Sequence, residues 1–139
     1  MTISVECSCP SGYDDVGGSC YAVLYDGFTW PEAKTMCETL GGYLLEINDG
    51  SEHGSIKTWL APKRSSLGSY VYIGGTNVLV TGQWMFPNTF NTMNYTNWAP
   101  GQPDNADSHE HCLSLVNEAT FAYNDLPCTR RENSICETE

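Results

Sequence analysis

Asn97-Trp98-Ala99-Pro100-Gly101-Gln102-Pro103-Asp104, followed by Glu110-His111-Cys112 and Asn124-Asp125-Leu126-Pro127-Cys128, is the stretch on which the reading of this chain turns. Most of it falls in residues 87–111, a 25-residue run with seven Asn or Asp, three Pro and no apolar periodicity. Irregular loops of that length inside a compact domain are uncommon and usually functional. Gln102, Asp104, Glu110, Asn124 and Asp125 are five oxygen-bearing side chains, three of them carboxylates. Calcium takes about six to eight oxygens at roughly 2.3–2.6 Å, whereas softer metals draw on His or Cys. The set therefore suits a hard cation and leaves coordination positions open.

Upstream of this loop the pattern is helical. Thr29 is a candidate N-cap, Pro31 suits a first turn, and Glu32 stands three residues after Thr29 as in a capping box. Trp30, Ala33, Cys37 and Leu40 recur at helical spacing, so a helix is expected over 29–40, ended by Gly41-Gly42. Tyr43–Ile47 reads as a strand and 51–60 as a second helix with Ile56, Trp59 and Leu60 on one face. Beyond Pro62 come short β-prone runs at 70–73, 83–86, 113–116, 121–123 and 134–137. At the amino end, residues 2–7 alternate as a short strand would, and the turn residues around Cys9 and Cys20 suit a small hairpin. Helices followed by β-rich, loop-rich sequence give an α+β class. The 139 residues make one domain, with a core over about 9–137 and a short extension over 1–8.

Composition narrows the functional classes. With 17 acidic residues against 6 basic, the net charge is −11. That field repels nucleic acid and anionic lipid, whose binding rests on Lys and Arg neutralising phosphate, and no apolar run is long enough for a membrane helix. Seven cysteines without a Cys-x-x-Cys pair read as a disulfide framework of a secreted protein, with one thiol left over. Residues 1–7 lack the apolar core of a signal peptide, so the chain reads as a mature one.

The motifs in order resemble the C-type lectin domain family, in its long form. Cys9-Pro10-x-Gly12 with Cys20-Tyr21 is similar to the family's amino-terminal hairpin. Trp30-x-x-Ala33-x-x-x-Cys37 with Gly41-Gly42 is similar to its first helix, and Tyr72-Ile73-Gly74-Gly75 to its central Trp-Ile-Gly-Leu strand. Gln102-Pro103-Asp104, Glu110-His111-Cys112, Asn124-Asp125 and Cys128 follow in register. The resemblance implies a C-type lectin fold with two helices, small antiparallel sheets and a long calcium-binding loop. It also implies bridges Cys9–Cys20, Cys37–Cys136 and Cys112–Cys128. In the chain-entropy account a loop of about 100 residues is worth about 4.7 kcal/mol.

The same resemblance implies calcium held by Gln102, Asp104, Glu110, Asn124 and Asp125, with a cis peptide before Pro103. Gln102, Asp104, Glu110 and Asn124 would also meet sugar hydroxyls, and His109 is a further candidate contact. Mannose readers of the family carry Glu-Pro-Asn here and galactose readers Gln-Pro-Asp. The expected ligand is therefore terminal galactose or N-acetylgalactosamine, bound without turnover. The alternative is a module binding protein, ice or mineral. Ala106 stands near where galactose readers place a stacking ring, leaving His109, Phe90 or Tyr95 as substitutes. The positions of an auxiliary calcium site hold Asn77, Thr81, Asn105 and His111, so that site is expected to be empty or weak. His109-Glu110-His111-Cys112 resembles a zinc cluster, but its cysteine is in register for a bridge. His53 is expected to be solvated at a helix start. Asn94-Tyr95-Thr96 is a glycosylation sequon whose middle residue matches a packed position. Cys7, the odd cysteine, is expected to join two chains.

Overall fold

A computed structural model describes residues 9–105 and 108–138. Cys7 and the expected strand over 2–7 lie outside these residues. The chain opens with a hairpin of β1 (Asp14–Val16) and β2 (Ser19–Phe28). Its two-residue turn, Gly17-Gly18, has φ of 61° and 92°, which glycine adopts freely. The Cys9–Cys20 bridge ties down the segment before it.

Helix α1 (Trp30–Thr39) begins with the full capping box: the Glu32 amide donates to Thr29 Oγ1 and the Thr29 amide to Glu32 Oε1. Strand β3 (Tyr43–Leu44) is shorter than the run 43–47 suggests. At Leu45 the chain leaves strand pairing because it is wedged between two others. The Leu45 amide donates to the Ile135 carbonyl at 2.9 Å, and the Leu45 carbonyl accepts from the Gly74 amide at 2.7 Å. A Cβ at Gly74 would meet the Leu44 and Leu45 carbonyl oxygens at 2.7 and 2.9 Å, so only glycine permits this approach. Helix α2 (Gly50–Leu60) is capped by Asp49, whose side chain accepts from the Glu52 amide at 2.7 Å. A 3₁₀ turn (Ala61–Lys63) and a one-turn helix α3 (Arg64–Leu67) lead into the sheet.

The remaining strands are β4 (Tyr70–Val80), β5 (Gln83–Met85), β6 (Glu110–Val116), β7 (Tyr123–Pro127) and β8 (Glu132–Thr138). The strands join in one sheet of order β1-β2-β8-β4-β6-β7, with β3 on β8 and β5 on β4. Its pairings are antiparallel except β4 with β8, which is parallel. The last strand therefore lies beside the second, and the Cys37–Cys136 bridge fastens α1 to it.

Side chains alternate across the strands, and the core divides accordingly. Val71, Ile73, Leu113, Leu115 and Ile135 face α2 residues Ile56 and Leu60. Tyr72, Cys112 and Cys136 face α1 residues Trp30, Ala33 and Cys37. Two large polar side chains within these layers are satisfied: Trp30 Nε1–H donates to the Ile73 carbonyl at 3.0 Å, and the Tyr72 hydroxyl lies 2.6 Å from the Pro127 carbonyl and 3.0 Å from that of Arg130; the buried Ser134 hydroxyl on β8 has no hydrogen-bond partner among the described residues. The expectation for His53 is overturned. It turns inward from α2 and is fully buried.

Candidate functional site

The site is built on the β6–β7 edge of the sheet and the loop that precedes β6. Both strands reach further than the sequence pattern indicates. β6 starts at Glu110, and β7 spans Tyr123–Pro127, which places Glu110, Asn124 and Asp125 on strands. Asn124 opposes Ser114 and Asp125 opposes Leu113, with the Ser114 hydroxyl donating to the Asn124 carbonyl at 2.9 Å. The Cys112–Cys128 bridge closes the far end of the pair.

The loop is stitched to β7 residue by residue. The Tyr123 amide donates to the Asn97 carbonyl at 2.7 Å, the Ala99 amide to the Tyr123 carbonyl at 2.9 Å, and the Gln102 amide to the Ala99 carbonyl at 2.9 Å. The Gln102–Pro103 peptide is cis. Asp125, fully buried, accepts from the Asn105 amide at 2.8 Å and from the Asp104 amide at 3.3 Å. Gln102 Oε1 also accepts from the Asp104 amide at 3.2 Å. Asn105 has a positive φ of 46°, a conformation its short polar side chain tolerates, and its Oδ1 accepts from the Glu110 amide at 3.1 Å. Asn105 thus links the Asp104 turn to Asp125 and Glu110. Sequence reading assigned it only to an auxiliary metal position; its place one residue past the Gln-Pro-Asp motif was the available signal.

Asp104, Glu110 and Asp125 each bring one carboxylate oxygen to within 4.8 Å of the other two. Oxygens on opposite sides of one calcium stand about 4.6–5.2 Å apart, given bond lengths of about 2.3–2.6 Å. The spacing therefore fits a single hard cation. It also opposes three like charges: a pair of unit charges near 4 Å repels by about 1 kcal/mol in water and about 4 kcal/mol near a protein surface. Gln102 is half-buried and adjoins Asp104, while Asn124 is buried next to Asp125. The predicted set is thereby carried on one loop and two paired strands.

Behind the loop lies an aromatic cluster centred on His53. Its Nε2 is 2.9 Å from the Phe121 carbonyl, which only accepts, so Nε2 carries the proton. Nδ1 is then the acceptor for the Tyr95 hydroxyl at 2.8 Å, with Asn97 Nδ2 at 3.5 Å. Burial lowers the His53 pKa below its ordinary value; the Phe121 carbonyl pulls the other way and Lys57 adds to the lowering. The rings of Tyr95 and Trp98 stand edge-on to Tyr123, at 6.2 and 5.8 Å between centroids. His53 therefore pins the loop at 95–97 to the turn at Phe121 that feeds β7.

Other predicted residues fall differently. His109 is exposed just before β6. Tyr95 is occupied by His53 and Tyr123 and is unavailable to stack on a ligand, whereas Phe90 is 58% exposed at a positive φ. Ala106 lies outside the described residues. At the auxiliary positions His111 Nδ1 is 2.9 Å from Asn77 Oδ1, and these two line a cavity of about 380 Å³ with Thr81 and Asn105.

The family described as the lectin C-type domain matches residues 26–138. Perlucin of Haliotis laevigata is 33% identical over 132 residues, spanning 94% of this chain and 83% of its own. The type-2 ice-structuring protein of Hemitripterus americanus is 31% identical over 129 residues, covering 93% of this chain and 74% of its own. Among solved structures, the mouse scavenger receptor C-type lectin carbohydrate-recognition domain superposes with a TM-score of 0.81 at 29% identity, covering 94% of this chain and 96% of that one.

Proposed function

From the premise that this chain belongs to the C-type lectin domain family, a family of binding modules and not of enzymes, we propose that it is a secreted, calcium-dependent lectin for terminal galactose or N-acetylgalactosamine. The observation that carries the reading is the convergence of Asp104, Glu110 and Asp125 within 4.8 Å on a braced loop. Those carboxylates, with the amides of Gln102 and Asn124, are the residues that would hold calcium. When bound, the ion supplies a Lewis-acidic centre for vicinal sugar hydroxyls.

The chain's own residues set which hydroxyls fit. A carboxylate only accepts hydrogen bonds, and an amide NH₂ donates. Gln102 and Asp104 therefore present a donor and an acceptor in a fixed order along the loop, and the Gln-Pro-Asp order suits galactose. Asp125 does double work: its carboxylate belongs to the cation set and also receives the amides of Asp104 and Asn105. Three internal disulfides are in keeping with secretion. Among the described residues no helix is long and apolar enough to cross a membrane.

The test is calcium titration by calorimetry on the parent chain and on Asp125→Asn. The parent is expected to take up calcium, and the variant to bind it at least tenfold more weakly while keeping its fold by circular dichroism. Equal calcium affinity in the two would overturn the assignment.

A further inference from the structure

We infer that Asn94 is the acceptor of an N-linked glycan and that the first sugar of that glycan seats in a polar cleft beside it. The sequon Asn94-Tyr95-Thr96 poses an apparent conflict, because its middle residue is packed. The structure resolves this through the alternation of the chain. Met93 is buried, Asn94 exposed, Tyr95 half-buried, Thr96 exposed and Asn97 half-buried. Tyr95 turns inward to His53 at 2.8 Å, and that inward turn leaves both reacting members of the sequon on the outside. The segment belongs to no helix or named strand; it is held at its ends, the Met93 amide donating to the Trp84 carbonyl at 3.0 Å and the Tyr123 amide to the Asn97 carbonyl at 2.7 Å, and among the described residues no backbone–backbone hydrogen bond falls on 94–96.

A second, independent observation says where the sugar goes. Asn94 lines a cleft of about 390 Å³ with Asn48, Asn91, Thr92 and Phe86. The Asn48 and Asn91 amides and the Thr92 hydroxyl provide donors and acceptors, and the buried Phe86 ring forms an apolar wall. That combination suits an acetamido sugar: hydroxyls and an amide for the polar groups, C–H faces for the ring. The cleft wall is itself fastened, since the Phe86 amide donates to the Asn91 carbonyl at 2.8 Å. None of the cleft residues belongs to the cation set.

In the covalent step the Asn94 Nδ2 forms a bond to C1 of an oligosaccharide carried on a polyprenyl diphosphate. The C1–O bond breaks, the diphosphate departs with its electron pair, and one amide proton passes to a base. The inference rests on the secretory reading above, so the experiment separates the two. The full chain is expressed in a glycosylating eukaryotic host behind a cleavable signal peptide, which makes entry independent of the chain's own targeting. Oxidised, secreted material is digested and the peptide containing Asn94 is analysed by mass spectrometry. The expected result is a glycan at Asn94, lost in Thr96→Ala, with enzymatic release converting Asn94 to Asp. Secreted, disulfide-bonded protein with Asn94 unmodified would overturn the inference and leave the secretory reading standing. Seating is read by limited proteolysis between residues 86 and 94. Protein trimmed to one sugar is expected to be cut at least threefold more slowly than fully released protein. Equal rates would overturn the seating.

Discussion

Asp125 and Asn105 show how single residues set this site. A buried carboxylate needs partners, and Asp125 receives one loop amide on each oxygen and stands with Asp104 and Glu110 in one carboxylate group. Asn105 takes up a left-handed backbone and uses its side chain to hold the Glu110 amide. On the function proposed above, specificity falls to the order of acid and amide at 102 and 104. The double variant Gln102→Glu with Asp104→Asn reverses that order. It is expected to shift preference from galactose toward mannose by an order of magnitude, measured as competing monosaccharide inhibition of binding to immobilised glycoprotein. Unchanged galactose preference would show that the motif does not set specificity here.

At the scale of elements, β7 is the strand that matters, and His53 on α2 holds the turn before it. His53 is neutral in the folded protein, and burial lowers its pKa. The unfolded chain therefore binds the extra proton more readily. Its contribution to stability is complete above the ordinary histidine value of about 6.5 and is lost as pH falls through that value toward the lower folded one. Melting temperature is thus expected to fall between neutral pH and pH 5, and the fall is expected to be smaller in His53→Gln, whose amide offers one donor and one acceptor. Glu46, whose pKa burial raises, works in the opposite sense, so the readout is the difference between parent and variant. A parallel pH dependence in both would contradict this role. The same elements mark how much was legible in sequence. The α1 capping box, the three bridges and the convergence of Asp104, Glu110 and Asp125 were readable because each depends on local chemistry or on motif register. The depth of His53, the early end of β3 at Leu44 and the reach of β7 to Pro127 were not. Each is decided by what packs across the sheet: Phe121 and Tyr95 against His53, and the Leu45 wedge between Ile135 and Gly74.

For the whole molecule, a net charge of −11 on 139 residues gives a field that attracts cations and repels polyanions. Any ligand that binds only the folded state stabilises it, by about 2.7 kcal/mol at 100 times its dissociation constant. Three internal bridges use six of the seven cysteines, and Cys7 lies outside the described residues. We expect Cys7 to join two chains, since linked sites raise apparent affinity about 10²–10⁴-fold without new contacts. A dimer is expected on a gel run without reductant and a monomer for Cys7→Ser; a parent monomer would refute the link. The relatives span an ice-structuring protein as well as a carbohydrate-recognition domain, so the ligand class is the property to measure. A glycan array probed in calcium and again in chelator tests it most directly. The account predicts signal on glycans ending in galactose or N-acetylgalactosamine that vanishes in chelator and returns with added calcium; no glycan signal in calcium, or signal that chelator leaves untouched, would contradict it.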